Sequence, residues 1–214
     1  MEEDITVTNK ISRNERIKNF FVKNTKKLGI AASIIVLIIF GYFIKEDFNT
    51  KNKIKLANKY NLATIKFFSE DKNKVKNELI DIVNKKDKTY SPLALYFLID
   101  NKIISENNKI NELFDILINE TSLDKEIKNL VIYKKGLFNS DFESENNLIK
   151  ILNPVINSDS VWKSHAMYLL AEYFYYNNQK QKSKEFFNQI LTLENSNPSI
   201  KTESQKRLNR DFSD

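Results

Sequence analysis

Residues 167–190 read MYLLAEYFYYNNQKQKSKEFFNQI. Met167, Leu170, Ala171 and Phe174 recur at spacings of three and four, so they share one helix face. Asn177-Asn178 marks a turn. Ser183, Phe187 and Ile190 then form the stripe of a second helix that faces the first. The pattern is a small residue at 171, another twelve positions later, an aromatic four after that and an apolar residue three further on. It predicts a helical hairpin: the small residues let two backbones approach, and the large ones fill the space between neighbouring hairpins.

The same spacing recurs upstream. Gly136 is followed by Leu148, Leu152 and Val155; Leu98 by Ile110, Phe114 and Leu117; Ala63 by Val75, Leu79 and Ile82. The anchors 63, 98, 136 and 171 lie 35, 38 and 35 residues apart. This is the tetratricopeptide spacing, whose standard period is about 34 residues, here degenerate and with short insertions. An all-helical chain of any kind gives some apolar hits at these offsets; the near-equal separations favour repeats. Leu98 replaces the expected small residue in the second unit, and Ile110 and Leu148 replace the next one in the second and third. The prolines fall at helix boundaries. Ser91-Pro92 reads as an N-cap followed by Pro at the first helical position, and Asn197-Pro198 reads the same way before a last helix ending near Arg210. Pro154 is expected to end or kink the helix that holds Leu148 to Leu152. Strand alternation is scarce, so the expected fold class is all-α.

Ahead of the repeats stands LGIAASIIVLIIFGYFI, Leu28 to Ile44, between Lys27 and Lys45 and free of charge. At ~1.5 Å per residue it covers ~25 Å of a ~30 Å hydrocarbon core, and the flanking lysines can snorkel to make up the rest. Eleven of its residues are Leu, Ile, Val or Phe. Tyr42 and Phe43 sit where an interfacial aromatic belt belongs. A buried core helix would carry a polar stripe, and a cleavable signal would end in a small-x-small site. The span is followed by Phe43-Ile44-Lys45-Glu46-Asp47, and Ala31-Ala32-Ser33 lies too early to serve. The expectation is an uncleaved signal anchor. Lys10, Arg13, Arg16, Lys18, Lys23, Lys26 and Lys27 precede it, which favours a cytoplasmic N-terminus and a body on the far side, periplasmic in a Gram-negative cell. The expected organisation is a basic head over 1–27, a transmembrane helix over 28–44 and a repeat domain over 45–214, with about four helix pairs and a closing helix.

Composition narrows function more than it names it. The net charge of +6 divides evenly, +3 on the head and +3 on the body. The body therefore presents a mixed, solvated surface rather than a nucleic-acid stripe, and the head suits anionic lipid. There is no cysteine and one histidine, His165, so no zinc-type ligand set can be assembled. Gly29, Gly41 and Gly136 stand alone, which excludes a phosphate-cradling loop, and Gly29 and Gly41 make no G-x-x-x-G face. Asp141 and Glu143 pair only in a polar loop. The expectation is no enzyme activity, no catalytic residue, no cofactor, no metal and no small-molecule substrate.

The chain as a whole resembles the YfgM-like ancillary translocon subunits, single-pass proteins with a tetratricopeptide-like domain. The features that carry the resemblance are the basic head and single span, a long helix from about Lys51 to Ser69, and Tyr90-Ser-Pro-Leu-Ala-Leu opening the second hairpin. Leu152-Asn-Pro154 then closes the third, Trp162-x3-Ala166-x2-Leu169-Leu-Ala171 opens the fourth, and Pro198 with Arg207-Leu208 marks the closing helix. The resemblance implies an inner-membrane protein with its repeats in the periplasm, associated with the Sec translocon and periplasmic chaperones. The family's domain is often named jointly with that of a cell-division coordinator, so coordination of division or envelope synthesis is the alternative.

A binding face is also legible. His165, Tyr168, Glu172 and Tyr175 follow spacings of three, four and three, off the Met167–Phe174 stripe. On a tetratricopeptide scaffold these first-helix positions line the concave groove. Their equivalents are Leu130, Tyr133 and Leu137 in the third unit and Leu95 and Ile99 in the second. An apolar, tyrosine-rich groove would suit an extended or partly unfolded polypeptide, such as a translocon subunit, chaperone or client. The competing expectation is that neighbouring hairpins or the C-terminal helix bury these side chains, since short arrays need capping.

Overall fold

The computed structural model describes residues 13–69 and 72–212. Among the described residues 80% are helical and none is in a strand. Two units are distinguished, residues 1–55 and 56–214.

The first unit holds α1 (Arg13–Lys23) and most of α2 (Thr25–Lys66). Helical hydrogen bonds from Asn24 N to the Phe20 carbonyl and from Leu28 N to the Asn24 carbonyl bridge the two helices. α2 is long and apolar enough to cross a membrane near the N-terminus. Ile34, Leu37, Phe40 and Phe43 are all exposed, Leu37 by 70%. The helix expected from about Lys51 is no separate element, because α2 runs through to Lys66.

In the second unit, the end of α2 is followed by α3 (Lys72–Asn84), α4 (Tyr90–Asp100) and α5 (Asn107–Asp115). α5 passes into a π-helical turn over Ile116–Glu120. Then come α6 (Lys125–Asn139), α7 (Glu145–Ile156), α8 (Lys163–Tyr176), α9 (Lys180–Thr192) and α10 (Pro198–Asp211). Every position of the four spacing sets is buried. Ala63, Val75, Leu79 and Ile82 are so, as are Leu98, Ile110, Phe114 and Leu117. Gly136, Leu148, Leu152 and Val155 are buried, and so are Ala171, Ser183, Phe187 and Ile190. At Gly136 the approach is close: a Cβ there would crowd the Leu152 side chain. Between α8 and α9 the Ser183 hydroxyl donates to the Ala171 carbonyl at 2.8 Å.

Polar contacts between helices follow a second regularity. Glu126 accepts from the Ser160 hydroxyl, Gln179 donates to Glu145, Asn197 N donates to Ser164 Oγ, and Arg207 pairs with Glu172. The sequence separations are 34, 34, 33 and 35. Two of these contacts set α8 and α10 running in the same direction, while Lys182 meets Glu145 at a separation of 37. Neighbours run antiparallel, as Asn111–Asn139 and Asp115–Lys135 show for α5 and α6.

The core is three clusters strung along the chain. The first joins Ala63, Val75, Leu79, Leu98 and Phe114; the second Leu148, Leu152, Ala166, Leu170 and Phe174; the third Met167, Ala171, Phe187 and Ile190. Ile118 packs on both the first and the second, and Ile156 and Phe186 on both the second and the third.

Local signals are partly redistributed. Asn197 caps α10 as expected, accepting from Ser199 N and Ile200 N, with Pro198 at the first position. Ser91 is not an N-cap, because α4 already starts at Tyr90. Asp87 does that work, its Oδ1 accepting from Thr89 N and Tyr90 N, while the Ser91 hydroxyl donates to the Ile82 carbonyl. Pro154 lies inside α7, two residues before its end. In the last turn of a helix the ring costs one main-chain bond and does not break the helix earlier.

Candidate functional site

The nine residues of the expected binding face fall into five environments. Leu95 is fully buried in the first core cluster and open to no ligand. Ile99 and the half-exposed Leu137 line a small cavity of about 180 Å³ together with Tyr96, Phe114 and Lys134. The Lys134 ammonium stands 4.6 Å over the Tyr96 ring. Burial pushes the Tyr96 hydroxyl's pKa up, and that hydroxyl has no hydrogen-bond partner among the described residues. Leu130 is half-buried one turn of α6 before Lys134.

Tyr133 and His165 belong to an aromatic wedge completed by Trp162. The Tyr133 and Trp162 rings stack at 5.9 Å and 14°. His165 meets Trp162 at 5.1 Å and Tyr133 edge-on at 5.8 Å. Burial holds the His165 pKa below the ordinary histidine value, offset in part by the Val161 carbonyl. A ring wedged between two aromatics loses hydration that its cation would need. The wedge sits where Glu126 reaches across from α6 to accept from the Ser160 hydroxyl at 2.7 Å and from Val161 N at 3.1 Å.

Tyr168, Glu172 and Tyr175 lie under α10. Arg207 donates to both Glu172 oxygens at 2.7 and 2.9 Å and bonds Asp211 as well. Its guanidinium lies 4.3 Å over the Tyr175 ring, and Phe212 packs edge-on against the same ring at 5.6 Å. Tyr168 packs on Phe187, and burial with the neighbouring Glu172 carboxylate pushes its hydroxyl up to about 12. The two-nitrogen fork of Arg207 matches a carboxylate and makes a firm clasp. The fourth-unit end of the face is therefore closed by the C-terminal helix, while the third-unit portion retains exposed surface at Leu137.

Reading the sequence by first-helix positions missed Trp162, which holds the wedge together, and Arg207, which closes the face. Trp162 stands just ahead of the α8 stripe, so its offset from Tyr133 gives no periodic signal. It also missed a larger cleft, of about 610 Å³, on α6 between α5 with its π turn and α7. That cleft is rich in asparagine, a residue that apolar spacing cannot see. Asp141 and Glu143 converge on no reactive centre: Glu143 accepts from the Asn147 carboxamide. Among the described residues no group of three His, Asp or Glu side chains could hold a metal ion. Comparison with protein-family models, curated proteins and solved structures finds no match to this chain.

Proposed function

We propose that this chain is a non-enzymatic, single-pass membrane-anchored scaffold whose body is a tetratricopeptide-like array of helical hairpins. α2 would anchor it in the bacterial inner membrane with the N-terminus cytoplasmic and the body periplasmic. The body would recruit polypeptides near the secretion machinery, with translocon subunits, periplasmic chaperones or their clients as partners. The mechanism is tethering: confinement to the membrane raises local concentration without any chemistry.

The observation that carries the reading is the recurrence of inter-helix polar contacts at separations of 33 to 35 residues, in step with the buried spacing sets. A hairpin array produces that recurrence, since each unit meets its neighbour at equivalent positions. The exposed apolar length of α2 supports the anchor.

The test is crosslinking in intact cells that express the full chain, purification in mild detergent and identification of what comes with it. Protease access to the body in spheroplasts is measured alongside. Translocon subunits and chaperones with an accessible body are the expected result. Division or wall-synthesis proteins would move the reading to a coordinator of envelope growth. A body shielded from protease, with cytoplasmic partners, would invert the topology.

A further inference from the structure

The cleft on α6 is lined by five asparagines, of which Asn111 and Asn139 bond each other and Asn147 bonds Glu143. Asn108 and Asn111 come from α5, Asn119 from the π turn, Asn139 from α6 and Asn147 from α7. We propose that this cleft binds the main chain of an extended polypeptide, largely without regard to its sequence. The inference rests on the protein-binding reading above and gives it a site other than the tyrosine-rich face.

Several features converge. The volume of about 610 Å³ falls within the range of ligand sites, roughly 300–1,000 Å³. The charges it contains are balanced and partly spent: Lys135 bonds Asp115 at 2.8 Å, and Glu143 is held by Asn147 at 2.8 Å. Lys150 also lines the cleft and is exposed, so one ammonium stands beside the carboxamides as a further donor for a peptide carbonyl. No aromatic ring lines the cleft, so a sugar lacks a stacking surface. What remains is carboxamide over an apolar floor of Ile118, Ile132 and Ile151. A carboxamide offers an acceptor beside a donor, the complement of a peptide unit. The molecule already makes such a pairing there: Asn111 and Asn139 exchange two hydrogen bonds, at 2.9 and 2.8 Å. Pro154 adds a main-chain acceptor. It has no N–H, so the carbonyl of Lys150, a lining residue, lacks its helical i+4 donor. The π turn is the local departure from helix that carries Ile118 and Asn119 into this wall, and such turns recur at functional sites.

The test measures binding by fluorescence anisotropy to the full chain in detergent. The probe is a labelled, end-blocked decapeptide of Ala, Ser and Leu. A second probe is the same peptide with alternate backbone amides N-methylated. Asn108, Asn119 and Asn147 are exposed, so the triple alanine variant should keep its melting curve. The expected results are measurable binding of the plain peptide, at least about tenfold weakening in the triple variant, and similar weakening for the N-methylated peptide. Equal affinity for the two peptides overturns main-chain recognition. An unchanged triple variant overturns the cleft while leaving the scaffold reading standing. No binding to the unaltered chain overturns the proposal, and the in-cell crosslinking then decides the scaffold reading separately.

Discussion

Gly136 shows how a single hydrogen atom can set the distance between two helices. The Cβ of an alanine there would crowd Leu152 Cδ2 and stand 2.9 Å from its Cγ, and Leu152 is fully buried. Overpacking costs about 1–3 kcal/mol, against a gain of about 1 kcal/mol from replacing glycine within a helix. Gly136→Ala should therefore lower stability by roughly 1 kcal/mol, seen as an earlier urea midpoint. Leu152→Ala should cost less in that background than in the unaltered chain, a coupling that a double-mutant cycle reads directly. His165 carries the second prediction at this scale. Its folded pKa lies below the unfolded value, so the unfolded chain binds the proton first as pH falls. Its contribution is complete above about pH 6.5 and is lost as pH drops through the folded pKa. The melting temperature should fall on going from pH 7 to pH 5, and in His165→Phe, which keeps a ring in the wedge, that slope should flatten. With a single histidine in the chain, no other imidazole confuses the measurement.

At the scale of elements, helix ends repay attention. α4 and α8 close through the same device. Ile103 N reaches the Leu98 carbonyl and Lys102 N the Ile99 carbonyl; Gln179 N reaches Phe174 and Asn178 N reaches Tyr175. The residue at the bend is left-handed in both, Lys102 at φ 50° and Asn178 at φ 59°. Asparagine tolerates that region and lysine does not. Lys102→Gly should raise stability by about 0.5–1 kcal/mol, and Asn178→Gly by less, as thermal melts would show. Asn197→Ala, which removes the cap of α10, should cost about 1 kcal/mol. These ends also explain what the sequence disclosed. The hairpin positions were legible because burial imposes a period, and every member of the four spacing sets is buried. The Asn197-Pro198 start was legible because cap and proline act locally. Ser91 misled because a serine before proline has two uses, and here its hydroxyl serves the Ile82 carbonyl across the hairpin while Asp87 caps. The cleft and the Arg207 clasp depend on residues about a repeat apart with no apolar signature, so only the packed molecule brings them together.

Across the second unit, the core is divided into three clusters, with Ile118 packed on both the first and the second and Ile156 and Phe186 on both the second and the third. Stability should then be a sum of local terms and neighbour interfaces rather than one indivisible quantity. Phe187 tests this. It is fully buried in the third cluster, against Tyr168 and Phe212, and Arg207 stands 5.8 Å from its ring. Phe187→Ala removes a ring worth about 3–5 kcal/mol in a core and loosens the support of α10. In a one-core globule, protection from hydrogen exchange would drop by the same free energy in every helix. In a chain of clusters the loss stays near its source. Amide exchange in the variant should accelerate in α8, α9 and α10, weaken by a smaller amount in α7 through Ile156, and leave α3 and α4 close to their original rates. Uniform acceleration from α3 to α10 would mean that the unit unfolds as one body, and the nearest-neighbour description would have to be abandoned.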